Sequence, residues 1–189
     1  MVMSLICSWV CSVSFLFFSL YWKNDYVEWH IWFSVIFCAI YFSMTCAVCV
    51  YQAISQNKSL YALQWCSEVI LASVIFVVIA VLFGAHPMQN HLGTILWAVL
   101  MSLFCCVPSA SMFDVYRLKR MSSTSTLVVA CTLLGSWVGA FTIALDWEKP
   151  WQVWPIPCNF GATVGHVLGV SLSLLFEWQD VHTKSTKAM

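Results

Sequence analysis

The chain has 189 residues, of which 61% are hydrophobic and only 8% charged, and its formal net charge is zero. Soluble domains carry about 25% charged residues. This composition therefore excludes a soluble globule and predicts an all-α integral membrane protein. The few basic residues are scattered and lack the clustered footprint of a nucleic-acid binder, so no nucleic-acid partner is expected.

Residues 1–22 carry no charge. At about 1.5 Å per residue they are long enough to cross a hydrocarbon core of about 30 Å. A cleaved signal peptide would need a basic start and small residues before the cut, whereas this segment ends in the bulky run Leu16 to Trp22. After the polar stretch Lys23 to Glu28, a second uncharged run covers residues 29–52. The connection Ala53 to Glu68 is polar and holds the sequon Asn57-Lys58-Ser59.

From Val69 to Phe113 there is again no charge, over a length too great for one helix. Gly84-Ala85-His86-Pro87 and Asn90-His91 form a turn signature that divides the run into spans at 69–85 and 92–113, with Pro108 as a kink. The most basic loop follows, Asp114 to Ser125. A fifth span covers 126–145 and contains Gly135 and Gly139. A sixth covers 156–176 and contains Gly161, Gly165 and Gly169. Small residues at every fourth position share a helix face and allow close helix approach. The expectation is six transmembrane helices in a single polytopic membrane domain over residues 1–189.

Lys58, Arg117, Lys119, Arg120, Lys184 and Lys187 would lie on one side of such a bundle, and only Lys23 and Lys149 on the other. The excess of Lys and Arg predicts that both termini are cytoplasmic. Asn57 would then face the cytoplasm and stay unglycosylated, and the loop between the fifth and sixth spans would be lumenal or external.

That loop, Leu145 to Cys158, is the most distinctive stretch. Pro150, Pro155 and Pro157 forbid a regular helix and predict an extended or turning backbone. Trp147, Trp151 and Trp154 suit either a membrane–water belt or a protein interface. On the same predicted side stand Asp25, Glu28, His30, His86, His91, Asp146 and Glu148, with no metalloprotease-type or activated-serine motif among them. Asp146 and Glu148 would point to opposite sides of an extended segment, which leaves them solvated or paired with Lys149. No catalytic residue, cofactor or metal site is expected. Most of the ten cysteines, Cys46 and Cys49 included, fall in apolar runs, where thiols act as small hydrophobes. His166, near the middle of the sixth span, fits a hydrogen bond to a neighbouring helix or a relay or substrate role.

The run Asp146-Trp147-Glu148-Lys149-Pro150-Trp151-Gln152-Val153-Trp154-Pro155, followed by Gly161-Ala162, resembles the PIG-F family. The likeness covers about residues 139–169, with further matches at Leu82 to Ala85 and at Pro108. It implies a multi-pass protein of the endoplasmic reticulum membrane, a non-catalytic subunit that stabilises larger enzymes. Those enzymes transfer ethanolamine phosphate from phosphatidylethanolamine to mannose of the glycosylphosphatidylinositol (GPI) precursor. Partner contact is then expected at the loop, through Asp146, Trp147, Glu148, Pro150, Trp151, Gln152, Trp154, Pro155 and Pro157. Helix packing is expected at Gly135, Gly139, Gly161, Gly165, Gly169 and His166. The competing readings are a lipid-modifying enzyme using Asp146 and Glu148, and a lipid transporter or scramblase with His166 in its path.

Overall fold

A computed structural model describes residues 6, 9–10, 12–14, 26–55, 61–83, 85, 90–106, 123–145, 147–149 and 151–187, with 26–30, 52–53, 55, 61–62, 123–125 and 180–187 described in backbone alone. Most of the expected first span, the Asn57 sequon, Gly84, His86, Pro87, Pro108, most of the basic loop, Asp146 and Pro150 lie outside these residues.

Five long helices carry the fold: α1 Tyr26–Ser55, α2 Tyr61–Leu82, α3 His91–Cys106, α4 Ser123–Ile143 and α5 Ile156–Lys187. No strand occurs among the described residues. Four of these helices are long and apolar enough to cross a membrane, through Ile31–Tyr51, Leu63–Leu82, Thr126–Ile143 and Ile156–Gln179, and α3 is a shorter apolar helix.

Two boundaries differ from the sequence reading. Helix α2 begins at Tyr61 rather than near residue 69. Gln64 and Glu68 read as loop residues, yet Trp65, Glu68, Val69 and Ala72 recur at helical spacing and are all buried, so the amphipathic face extends below the uncharged run. Helix α5 continues past Phe176 to Lys187. Glu177 ends the apolar segment without ending the helix, because no glycine or proline follows Gly169 before Lys187.

Helix α3 is the centre of the bundle. It touches α1, α2, α4 and α5, and Gly93, Thr94, Trp97, Ala98 and the whole run Leu100 to Cys106 are buried. Polar pairs fix its neighbours. Ser102 lies 2.8 Å from Ser73 of α2, and Trp97 Nε1 donates to Ser136 Oγ of α4 at 3.2 Å. Burial of apolar surface cannot drive association between lipid-bathed helices, so such bonds and close packing hold the bundle together.

The most extensive contact joins α4 to α5. A methyl group built on Gly135 would land on the carbonyl oxygen of Gly161 and 3.0 Å from the Cα of Gly165; one on Gly161 would strike the carbonyl of Gly135. Gly139 meets the Pro157 carbonyl, Gly165 the Cys131 carbonyl, and Gly169 the backbone at Val128. The two helices touch main chain to main chain along this seam.

His166 is fully buried beside it. Its Nε2 lies 3.3 Å from Tyr41 Oη of α1 and its Nδ1 3.3 Å from Thr132 Oγ1 of α4. Its ring stacks on Phe104 of α3, centroids 4.3 Å apart at 11°. One side chain thus binds α1, α3 and α4 to α5.

Gly135→Ala is expected to lower stability by about 2 kcal/mol, because its Cβ must push apart two backbones rather than a flexible side chain. Leu134→Ala, on the neighbouring exposed position, should stay within about 0.5 kcal/mol of the parent. Unfolding of the purified chain in detergent measures both.

Candidate functional site

The loop between α4 and α5 closes one end of the hairpin, and its shape comes from side-chain to main-chain bonds. Gln152 is the staple: its Nε2 donates to the carbonyls of Thr142, at 2.8 Å, and Leu145, while its Oε1 accepts from Lys149 N–H at 2.9 Å. The backbone of Trp147 donates to Leu145 at 2.9 Å, and that of Gln152 to Lys149 at 2.9 Å. Glu148 adopts φ 50°, a left-handed conformation uncommon outside glycine, asparagine and aspartate. The loop therefore turns at Glu148, within the extended or turning backbone that the prolines predict. Pro157 stands in the first turn of α5, where the missing N–H would have no helical partner anyway.

The three tryptophans of the loop divide into two environments. Trp147 is 54% exposed and meets Trp151 edge-on, ring centroids 6.1 Å apart. Trp154 turns inward: its ring lies 5.3 Å from that of Trp97, and its Nε1 donates to Thr94 Oγ1 at 3.0 Å. Pro155 is buried, as is Pro157; Glu148 and Lys149 are exposed.

Sequence reasoning missed the residue that anchors this arrangement. Asn90 precedes α3 and accepts from Gly93 N–H at 3.3 Å, capping the helix. Its Nδ2 also donates to the Trp154 carbonyl at 2.8 Å, tying the loop to α3. An asparagine directly before an apolar helix is a cap signal legible in sequence; its bond to a residue 64 positions away is not. Gly93 makes room for the loop, since a methyl there would sit 2.9 Å from Pro155 Cδ.

No group of three or more His, Cys, Asp or Glu residues able to hold a metal occurs among the described residues. The described cysteines are free thiols, and Cys158, next to the loop, is buried. His166 does not approach the loop: its ring is occupied within the bundle. Its partners Tyr41, Thr132 and Phe104 gave no sequence signal, because nothing in their spacing relates them to residue 166.

A helical membrane bundle with a stiff loop, exposing aromatic and charged side chains at one end, defines the class of protein. The chain belongs to the GPI biosynthesis protein family Pig-F, whose family model matches residues 5–174. It is similar to the mouse protein named GPI ethanolamine phosphate transferase, stabilizing subunit, at 35% identity over 64% of this chain and 60% of the relative. The human protein of the same name is 36% identical over 60% of this chain and 58% of its own length. Glycosylphosphatidylinositol anchor biosynthesis protein 11 of Yarrowia lipolytica is 33% identical over 61% and 55%. The matched region thus covers somewhat more than half of these relatives. No solved structure matches. The family match extends through residues 5–80, which the loop motif alone did not reach.

Trp154→Ala should destabilise the bundle by about 2 kcal/mol, through loss of its ring contact and the bond to Thr94. Trp147→Ala should change stability by less than about 0.5 kcal/mol. Thermal unfolding of the two variants side by side provides the comparison.

Proposed function

We propose that this chain is a non-catalytic, membrane-embedded subunit that stabilises a large ethanolamine phosphate transferase acting on the mannose of the GPI precursor in the endoplasmic reticulum membrane. The observation that carries this reading is membership of Pig-F together with the likeness to mouse and human proteins named as stabilizing subunits. In this reading the chain crosses the membrane six times, with both termini cytoplasmic and the α4–α5 loop in the lumen. The distribution of Lys and Arg supports that orientation.

The contact with the catalytic subunit uses the loop and the adjacent outer face of α4. Exposed Trp147 provides an aromatic anchor held by Trp151 and the Gln152 staple. Leu134, Trp137, Val138 and Phe141 of α4 are all more than half exposed and form an apolar strip leading to that anchor. Rigid aromatic side chains lose little conformational entropy when covered, which makes them effective interface anchors. Trp154, by contrast, acts by shaping the loop.

Co-expression with the catalytic subunit tests this. Replacing Trp137 and Trp147 together by alanine should leave the yield of the folded chain unchanged and lower the recovered catalytic subunit by about tenfold, the loss expected from about 1.4 kcal/mol of contact. Full recovery of the complex, or ethanolamine phosphate transfer by the isolated chain, would count against it.

A further inference from the structure

Away from the loop, two thiols meet where α1 and α2 come together. Cys46 of α1 and Cys66 of α2 share a hydrogen bond, and one turn before Cys46 the ring of Phe42 packs on that of Trp65, centroids 5.5 Å apart. Both cysteines are free and partly exposed, whereas Cys49, one turn further along α1, is buried in the core. The apolar span of α1 ends at Tyr51 and that of α2 begins at Leu63. At about 1.5 Å per residue, both thiols therefore lie within about 8 Å of one membrane edge, within reach of small molecules dissolved in the bilayer.

No three metal-ligating groups gather among the described residues, so a metal does not account for the pair. A thiol is a weak donor and a weak acceptor, and their hydrogen bond adds little to packing. What two thiols in contact do readily is lose two hydrogens and join. A disulfide needs side chains that already converge from adjacent backbones, and α1 and α2 supply that convergence.

We propose that Cys46 and Cys66 are an oxidisable pair, closed by a hydroperoxide into a disulfide that clamps α1 to α2. In the first step one thiol sulfur attacks a peroxide oxygen: an S–O bond forms, the O–O bond breaks, and the thiol proton passes to the departing oxygen, giving an alcohol, or water from hydrogen peroxide. That sulfur is now a sulfenic acid. In the second step the other sulfur attacks it: the S–S bond forms, the S–O bond breaks, and the second thiol proton leaves with the hydroxyl as water. Two thiols are oxidised by two electrons and one peroxide is reduced.

Other contacts hold α1 to α3 and α5, through Phe37 and Tyr41, and α2 to α3, through Ser73. The disulfide would join α1 and α2 directly and restrict the unfolded chain between them. With both termini cytoplasmic, that membrane edge faces the cytoplasm, where glutathione returns the pair to thiols. The bond itself does not rest on that orientation or on the stabilising role.

The full chain in phosphatidylcholine nanodiscs is treated with cumene hydroperoxide, or with hydrogen peroxide at the same concentration, and the remaining thiols are alkylated before digestion. Mass spectrometry should find Cys46 joined to Cys66 as the main linked pair, absent without peroxide and lost on reduction with dithiothreitol. A higher yield with cumene hydroperoxide identifies a membrane-dissolved oxidant and a higher yield with hydrogen peroxide a water-borne one; either supports the pair. The treated parent should unfold about 5 °C above the untreated one, with no rise in Cys46→Ala or Cys66→Ala. Because the linked peptide is read in the parent, the test stands even where a variant fails to fold. Both cysteines still alkylated after treatment, either one oxidised without joining or joined to a different cysteine, or a bond without the rise, would overturn the proposal. Recovery of the catalytic subunit is a separate readout, so failure here is distinguishable from failure of the stabilising role.

Discussion

The contact of α4 with α5, main chain against main chain, is the constraint on which the rest of the structure depends. Lipid tails are as apolar as leucine side chains, so two helices in a bilayer gain little from covering each other's apolar surface. They gain from dispersion and short-range dipolar contact, both of which require the backbones to come close. Gly135, Gly139, Gly161, Gly165 and Gly169 remove the side chains that would hold them apart. The consequence is a stiff hairpin whose two ends are set at a fixed separation. That separation determines the space into which Leu145 to Pro155 must fit.

Within that space the loop is held by few bonds, each with a distinct task. Gln152 ties it to the end of α4, and Asn90 ties it to the start of α3. Trp154 fills the gap between them, its ring tilted at 54° against that of Trp97. Trp97 in turn bonds Ser136 of α4 and lies 6.0 Å from Phe76 of α2, ring centre to ring centre. The loop is therefore continuous with the core through a row of aromatic rings.

Deeper in the bundle, His166 does the equivalent work. Its imidazole has one donor and one acceptor when neutral, and hydroxyls on two other helices stand against its two nitrogens. Stacking on Phe104 fixes the ring plane. A histidine enclosed in this way has the surroundings of a packing residue.

Sequence alone determined that the chain is a helical membrane protein, because so small a charged fraction leaves no other solvent for it. It also located most helices, the close-packing faces at every fourth residue, and the proline-rich loop, since these follow from local composition and the 3.6-residue period. The loop motif was distinctive enough to point to its family. Tertiary structure decided what the spacing left open: that the glycine seam closes on itself inside the chain, that Trp154 faces inward while Trp147 faces out, and that Asn90 ties the loop to the start of α3. Those outcomes depend on which helix lies beside which, and no local pattern encodes contacts between residues 64 or 125 positions apart. Helix α2 starts earlier and α5 ends later than apolarity suggested, because packing on one face and the absence of helix breakers, rather than hydropathy, set where a helix stops.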